Sequence, residues 1–178
     1  KLPSFAGRPG PLLRVIAEIT RCSPSKGPLA PDLDPATLAA AYERGGAACL
    51  SVLTDVDPFG GSAQDLAAAR DAVSLPVLRK DFTVSANDVC DARLMGADCV
   101  LLIAAALDDS ALTDLAALAV QVGLDVLVEI HDEVELERAV DALGDSGPGY
   151  ALIGVNQRDL VTFQVDQERA VRVEALMH

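Results

Sequence analysis

Hydrophobic and polar positions alternate in blocks along the chain. Short runs of Val, Ile and Leu, typical of buried strands, are each followed by a longer alanine-rich stretch that carries charges at helical spacing. The runs predict strands at residues 14–19, 48–54, 76–81, 99–105, 125–130 and 151–156. Because the strands recur at spacings of roughly 20 to 35 residues, one βα unit each, the pattern predicts a parallel sheet buried on both faces and covered by helices.

The stretches between the strands begin and end as helices do. The first, "DPATLAAAYERGG", opens with an Asp N-cap and a Pro at the first helical position, and it closes on glycine. Four more follow the same rule: "SAQDLAAARDAV", "SANDVCDARLMG", "DDSALTDLAALAVQVG" and "DEVELERAVDALG". Since one βα unit follows another along the chain, we expect residues 1–178 to form a single α/β domain.

Polar residues at the strand ends help to choose between two folds, a closed (β/α)8 barrel and an open doubly wound sheet. An open sheet gathers its ligand groups at one switch point, whereas here several different strands each end in a polar residue: Glu18, Lys80, Glu129 and Asn156. Side-chain alternation gives these residues a shared face, which in a barrel is the interior. A structural network of salt bridges is the alternative interpretation, but barrel active sites lie at the carboxyl ends of the strands, which favours a functional site.

Composition and charge narrow the classes of partner. Of the 178 residues, 51% are hydrophobic, and the net charge of −13 argues against nucleic acid or anionic membranes as partners. No apolar run reaches the 18 or so residues that a membrane-spanning helix needs, so we expect a soluble, cytoplasmic protein. The cysteines form no C-x-x-C pair and lie in or beside apolar runs, which predicts buried free thiols: Cys22, Cys49, Cys90 and Cys99.

A series of motifs resembles the indole-3-glycerol phosphate synthase family from about residue 15 to residue 166. In chain order they are "VIAEI", "SPSKG", "SVLTD", "FGGSAQDL", "SLPVLRKDF", "GADCVLLIAAAL", "VLVEIHDEVELERA" and "IGVNQRDLVTFQVD". The resemblance implies a (β/α)8 barrel and a carboxy-lyase of tryptophan biosynthesis. Its reaction closes and decarboxylates 1-(o-carboxyphenylamino)-1-deoxyribulose 5-phosphate, with loss of water, to give indole-3-glycerol phosphate. The resemblance implies no metal and no organic cofactor, and a phosphorylated small molecule as substrate. We expect a monomer or weak oligomer.

The resemblance also assigns catalytic roles to three strand-end residues. Lys80 is the general acid at the ketone oxygen during ring closure, Glu129 is the acid/base partner in dehydration, and Glu18 positions the lysine and the substrate. The chemistry suits these residue types, because attack on a ketone needs a proton donor at the developing alkoxide and arginine is too weak an acid to serve. His131 is predicted to start the next helix and not to be catalytic.

Substrate contacts are implied at five further positions. Asn156 is implied to bind the sugar hydroxyls, Ser23 and Arg158 the phosphate, and Phe82 and Leu101 the aromatic ring. The glycine-rich stretch at residues 145–150 is predicted to be a mobile surface turn.

Two departures from the family pattern keep other functions open. Thr20 stands where most of the family has a lysine, and Arg21 beside it is predicted to point away from the face of Glu18. The sequence holds about six βα units where a barrel of roughly 250 residues has eight, so we expect it to be an incomplete part of a longer natural protein. The alternatives are a catalytically silent barrel fragment or paralogue with a role in binding or assembly, and a lyase that forms a Schiff base on Lys80.

Overall fold

A parallel sheet forms the centre of the molecule. The computed structural model describes residues 14–23, 27–57, 59–144, 151–158 and 164–176. Within these residues six parallel strands form the sheet: β1 (Ile16–Ile19), β2 (Cys49–Leu53), β3 (Val77–Lys80), β4 (Cys99–Ile103), β5 (Asp125–Ile130) and β6 (Ala151–Val155). A separate two-stranded ladder pairs Cys22–Ser23 with Gly27–Pro28 in antiparallel fashion.

The order of the strands decides between the two folds that the sequence left open. Each strand pairs in parallel with the next one along the chain, from β1 to β6, without the reversal that defines a doubly wound sheet. The sheet curls into a half-barrel with its helices on the outside. The predicted (β/α)8 type of fold is therefore confirmed, with six of its βα units in this chain.

Helices follow the strands in turn, and the first five begin where the sequence predicts. Their bounds are α1 (Pro35–Arg44), α2 (Ala63–Ala72), α3 (Ala86–Leu94), α4 (Asp109–Gln121), α5 (Glu133–Leu143) and α6 (Arg169–Glu174). The first five each have a polar N-cap whose side chain accepts a hydrogen bond from a backbone N–H of the first turn: Asp34, Ser62, Ser85, Asp108 and Asp132. Short polar caps thus set the point at which each loop turns back along the sheet.

Two apolar layers hold the sheet. The larger lies between the strands and the helices, and includes Leu50, Val100 and Val128 on the outward face. The smaller lies on the inward face, where Cys49, Leu78, Cys99, Leu101 and Ile103 are buried together and Leu127 packs against them. Side chains alternate along a strand, so a residue two positions beyond a member of this inner cluster, toward the carboxyl end, also points inward.

Burial of the strands on both faces, as the sequence predicts, holds for β2 and β4, in which all five residues are buried, and for residues 77–79 of β3. No residue of β6 is buried, and β1 and β5 alternate between buried and more exposed positions. The more exposed positions are those of the inward face, such as Ile16 and Glu18 in β1. That prediction is wrong for β1 and β5, because Glu18 and Glu129 on their inward faces line an open cavity and Ile16 is 39% exposed.

The predicted burial of the cysteines is wrong for two of the four. All four are free thiols, as predicted, and Cys49 and Cys99 are buried, but Cys22 is half-buried and Cys90 is exposed. Cys90 lies on α3 next to Val89, which points toward the sheet and is fully buried, so the helical turn of about 100° per residue carries Cys90 to the outer side. The glycine-rich stretch at residues 145–150 lies outside the described residues.

Candidate active site

One cavity opens at the carboxyl ends of the strands. Its volume is about 400 Å³, and residues of the five strands β1 to β5 line it together with loop residues. Every residue to which the sequence assigned a catalytic or binding role lines it: Glu18, Ser23, Lys80, Phe82, Leu101, Glu129, Asn156 and Arg158. The carboxyl end of a parallel barrel is where such folds bind their ligands.

Lys80 ends β3 on the inward face. It pairs in register with Leu53 of β2, and its side chain is half-buried above the inner apolar cluster that contains Leu78. Across the described ranges, no carboxylate oxygen lies within the 4.0 Å salt-bridge distance of its ammonium group. An ammonium held in a concave site in this way is available to a ligand.

The two charged neighbours of Lys80 belong to the opposite face. Arg79 is buried under α3, where its Nε donates to Thr54 Oγ1 at 3.0 Å and a terminal nitrogen donates to the Asp88 carbonyl at 2.7 Å. Its other terminal nitrogen lies 2.8 Å from Asp81 Oδ2, which also accepts the Thr54 hydroxyl at 2.6 Å. These contacts satisfy the buried guanidinium and tie the end of β3 to the helix behind it.

Glu129 is the last but one residue of β5 and is held by the residues around it. Asn156 Nδ2 donates to Glu129 Oε1 at 3.0 Å, while Asn156 Oδ1 accepts the backbone N–H of Arg158 at 2.9 Å. The carbonyl of Asn156 accepts a guanidinium N–H of Arg169 at 2.8 Å. The side-chain amide of Asn156 is therefore fixed in one orientation, and it fixes the carboxylate in turn.

Glu18 lies across the cavity at the end of β1. It pairs in register with Ser51 of β2 and is exposed toward the cavity. Its backbone carbonyl accepts the hydroxyl of Tyr42 from α1 at 3.1 Å, which anchors the strand end. Glu18 and Glu129 thus contribute carboxylates from strands on opposite sides of Lys80 in the sheet order.

The remaining predicted residues form the rim and the floor. Phe82 follows β3 and is 49% exposed at the mouth, whereas Leu101 of β4 is 2% exposed at the floor. Ser23 belongs to the short antiparallel ladder, and Arg158 forms an isolated antiparallel bridge with Val165. Residues 24–26, which complete the "SPSKG" motif, lie outside the described residues.

The departure at Thr20 affects the charge of the cavity. Thr20 lines the cavity and donates its hydroxyl to the Cys22 carbonyl at 2.8 Å. Arg21 turns away from it, as alternation predicts, and forms a two-point contact with Asp65 of α2 at 2.9 and 3.1 Å. The hydrogen bond that Arg21 donates to Asp65 raises the pKa of Arg21, so this charge is committed to the outer layer.

Several cavity residues were not identified from the sequence. Leu53 and Ile103 follow inner-face residues by two positions, and the same alternation that found Lys80 would have found them. Asp55 and Phe59 lie in the loop after β2, for which the sequence carries no comparable pattern.

His131 also has closer contacts than the sequence suggested. It precedes α5, as predicted, but its ring lies between two carboxylates, with Nδ1 3.1 Å from Glu135 Oε2 and Nε2 3.6 Å from Glu129 Oε1. The signal was present in the sequence, since His131 follows Glu129 by two positions and precedes Glu135 by four.

The described residues hold neither a metal-ligand cluster nor a membrane span. No group of three or more His, Cys, Asp and Glu side chains in the described ranges is placed to hold a metal ion. None of the helices within these ranges has the length and apolar character needed to cross a membrane.

Similarity to solved structures extends to the fold alone. The chain is similar to the Y628A carboxyl transferase domain of Rhizobium etli pyruvate carboxylase with pyruvate, at 14% identity and a TM-score of 0.51, over 68% of this chain and 24% of that one. The same domain with 3-hydroxypyruvate gives 14% identity and a TM-score of 0.51, over 69% of this chain and 24% of that one. The chain thus spans about a quarter of these proteins' length. At such low identity the likeness concerns architecture and not activity.

Similarity to protein families is more specific. The family model of indole-3-glycerol phosphate synthase matches residues 8–178, which is nearly the whole sequence. That match covers β1 to β6 and every strand end that lines the cavity. The chain therefore belongs to the indole-3-glycerol phosphate synthase family, whose members are lyase-type enzymes of tryptophan biosynthesis.

Proposed function

We propose that the chain carries the catalytic groups of an indole-3-glycerol phosphate synthase. The proposed reaction closes the ring of 1-(o-carboxyphenylamino)-1-deoxyribulose 5-phosphate and releases carbon dioxide and water. The observation that carries the proposal is the meeting of Lys80, Glu18 and Glu129 at one cavity in a member of this family. We expect the enzyme to act in the cytoplasm, on a phosphorylated small molecule and without a cofactor.

Lys80 is the proposed general acid of ring closure. Attack by an aromatic ring carbon on the ketone creates an alkoxide, and an ammonium on a rigid strand end supplies the proton at short range. Without a protein carboxylate within 4.0 Å in the described ranges, its N–H groups are available to the ketone oxygen. Glu18 is the proposed partner that orients the lysine and the bound substrate from the far side of the cavity.

Glu129 is the proposed acid/base of dehydration. Loss of water requires a proton for the departing hydroxyl and the removal of a proton from carbon, and one carboxyl group within reach of both can perform the two transfers. The hydrogen bond from Asn156 supports this role because it holds the carboxyl group in a single orientation. The remaining Nδ2 hydrogen of Asn156 is the proposed donor to a sugar hydroxyl.

The rim residues are the proposed binding groups. Phe82 and Leu101 offer apolar surface for the aromatic ring, from the mouth and the floor of the cavity. Ser23 and Arg158 are the proposed phosphate contacts, since a hydroxyl and a guanidinium both donate to phosphate oxygens.

Binding without turnover is a second candidate, and Thr20 favours it. Lys80 and Arg158 are the positively charged residues among the described cavity lining, beside the carboxylates of Glu18, Asp55 and Glu129, while the carboxylate of Asp81 is paired with Arg79. A substrate that carries both a carboxylate and a phosphate therefore has fewer positively charged partners in this cavity than in one with a lysine at position 20. A silent paralogue would bind such a ligand or its product without converting it.

The test is the fluorescence of indoleglycerol phosphate formation by the natural full-length protein and its Lys80→Ala variant. We expect turnover by the wild type and a loss of about 10²- to 10⁴-fold in kcat in the variant, the contribution of a general acid. Equal rates would refute the role of Lys80. Binding of the substrate without product formation would favour the silent paralogue, and borohydride trapping of an adduct on Lys80 would favour a Schiff-base lyase instead.

A further inference from the structure

His131 has an unusual position between two carboxylates. Its backbone N–H donates to Glu135 Oε2 at 2.7 Å, and the same oxygen lies 3.1 Å from ring Nδ1. On the other side of the ring, Nε2 is buried, has no hydrogen-bond partner among the described residues and lies 3.6 Å from Glu129 Oε1. A buried ring nitrogen is thus directed at the carboxyl group to which dehydration is assigned.

The contact with Glu135 fixes the tautomer of the ring. A carboxylate oxygen 3.1 Å from Nδ1 requires a proton on Nδ1, because two lone pairs would otherwise face each other. Glu135 is itself fixed, since it lies on the first turn of α5 and its backbone N–H donates to the N-cap Asp132 at 2.8 Å. In the neutral ring Nε2 is then the unprotonated nitrogen.

The contact with Glu129 therefore accommodates one proton. With none, the lone pairs of Nε2 and Oε1 repel, and with two, an N–H faces an O–H. The 3.6 Å separation is longer than a hydrogen bond, so a single proton on either atom attracts the other atom across it, and both placements of the proton give the same total charge. Asn156, a neutral amide, occupies the other approach to Oε1 and does not change this balance.

We propose that His131 is a positioning residue that shares one proton with Glu129, so that the pair gives a proton to the departing hydroxyl and recovers one from carbon. The inference rests on the proposed function, which assigns the dehydration to Glu129. As the proton moves from the Glu129 carboxyl group to the hydroxyl, the C–O bond breaks and water leaves. The pair is now without a proton, and its two lone pairs face each other. It takes the proton from the adjacent carbon as the double bond forms, and it ends with one proton as it began.

The charged groups around the ring are consistent with this exchange. Glu129 faces it from β5 and Glu135 from α5, while Arg169 of α6 is directed to the carbonyl of Asn156 and not to either carboxylate. The side chain of His131 is only 11% exposed, so bulk water does not compete freely for the shared proton.

The first test is spectroscopic and does not depend on turnover. The full-length protein is labelled with ¹⁵N-histidine, and the His131→Gln variant assigns the resonances of His131. We expect the neutral ring of His131 to carry its proton on Nδ1 and none on Nε2. A neutral ring protonated on Nε2 would overturn the proposal. If the wild type has no synthase activity, the proposed function fails, and the tautomer still decides whether the proton can be shared.

The second test separates proton sharing from simple support. His131→Gln keeps an N–H donor near Glu129 but cannot exchange its proton, so we expect kcat to fall about 10²-fold with KM little changed. In His131→Ala, added imidazole and its methylated analogues should restore part of the rate, and the recovery should follow their basicity. Full activity in His131→Gln would show that the residue only holds Glu129 in place, and the proposal would be abandoned.

Discussion

At the scale of single residues, strand alternation divides the run of Arg79, Lys80 and Asp81 between two faces of the sheet, one with the proposed catalytic group and one with structural contacts. Arg79 and Asp81 meet each other and Thr54 on the helix side, whereas Lys80 points to the cavity. Adjacent cations therefore have unrelated tasks. The loss of one should alter stability, and the loss of the other should alter ligand chemistry.

Replacing Arg79 with leucine should lower the free energy of unfolding by about 3 kcal/mol, because Asp81 would remain in its pocket without its partner. Urea unfolding followed by circular dichroism measures this difference. The matched control is Lys80→Met, which removes the neighbouring charge from the cavity and should leave the free energy of unfolding nearly unchanged. If both variants lost the same stability, the division between the two faces would be wrong.

The buried thiols give a second prediction at this scale. Burial raises the pKa of Cys49 from its ordinary 9.0 to about 12, and burial also raises the pKa of Cys99. An unfolded chain loses these protons at lower pH than the folded one, so their contribution to stability is complete below pH 9 and is lost as the pH rises from 9 toward 12. Urea unfolding at pH 8 and pH 10.5 should show a smaller fall in stability for Cys49→Val than for the wild type. A fall of the same size in both would contradict the assignment to Cys49.

At the scale of elements, polar caps place the loops that carry the site. The loop after β3 holds Phe82 and ends at Ser85, whose hydroxyl and backbone N–H both contact Asp88 Oδ2 at 2.8 Å. Burial raises the pKa of Asp88, but these hydrogen bonds outweigh it and the net effect lowers the pKa. Asp88 therefore stays ionised and keeps the first turn of α3 in register with the strand before it.

Removing this cap should cost stability. We expect Ser85→Ala to lower the free energy of unfolding by about 1 kcal/mol, because a backbone N–H of the first turn loses its acceptor. Thermal and urea unfolding measure the change, and Ser85→Asp, which retains a capping oxygen, is the control. No difference between the alanine and aspartate variants would argue against the cap as the stabilising contact.

The elements also show what the sequence could and could not predict. The caps and the apolar runs predicted β5 at residues 125–130, which are its bounds in the structure. Its ends could be recognised because polar residues of the inner face, Asp125 and Glu129, lie close to both of them. The predicted strand at residues 99–105 extends too far, since Ala104–Ala106 form a turn of 3₁₀ helix that the alanine-rich sequence does not distinguish from strand. Strand alternation brought Lys80 and Glu129 together in the prediction, whereas Asp55 and Phe59 depend on a loop path that no periodicity encodes.

At the scale of the whole molecule, the charge balance sets the problem of substrate binding. The chain carries a net charge of −13, and an anionic substrate approaches it against this field. The cavity has to offset that repulsion locally, yet Arg21 is directed to Asp65 on the outside and Thr20 contributes no charge. The inward position of Thr20 is therefore the place where one added cation would have the largest effect.

We expect Thr20→Lys to raise kcat/KM for the phosphorylated substrate about tenfold, the value of one charge-assisted hydrogen bond worth about 1.5 kcal/mol. Steady-state kinetics of the full-length protein at low and high salt measure the gain, which should shrink as the salt concentration rises because screening weakens the attraction. Thr20→Met, similar in length but without charge, is the matched control and should give no gain. If the lysine and methionine variants were equally active, the cavity would already hold enough positive charge, and the missing lysine would not limit the reaction.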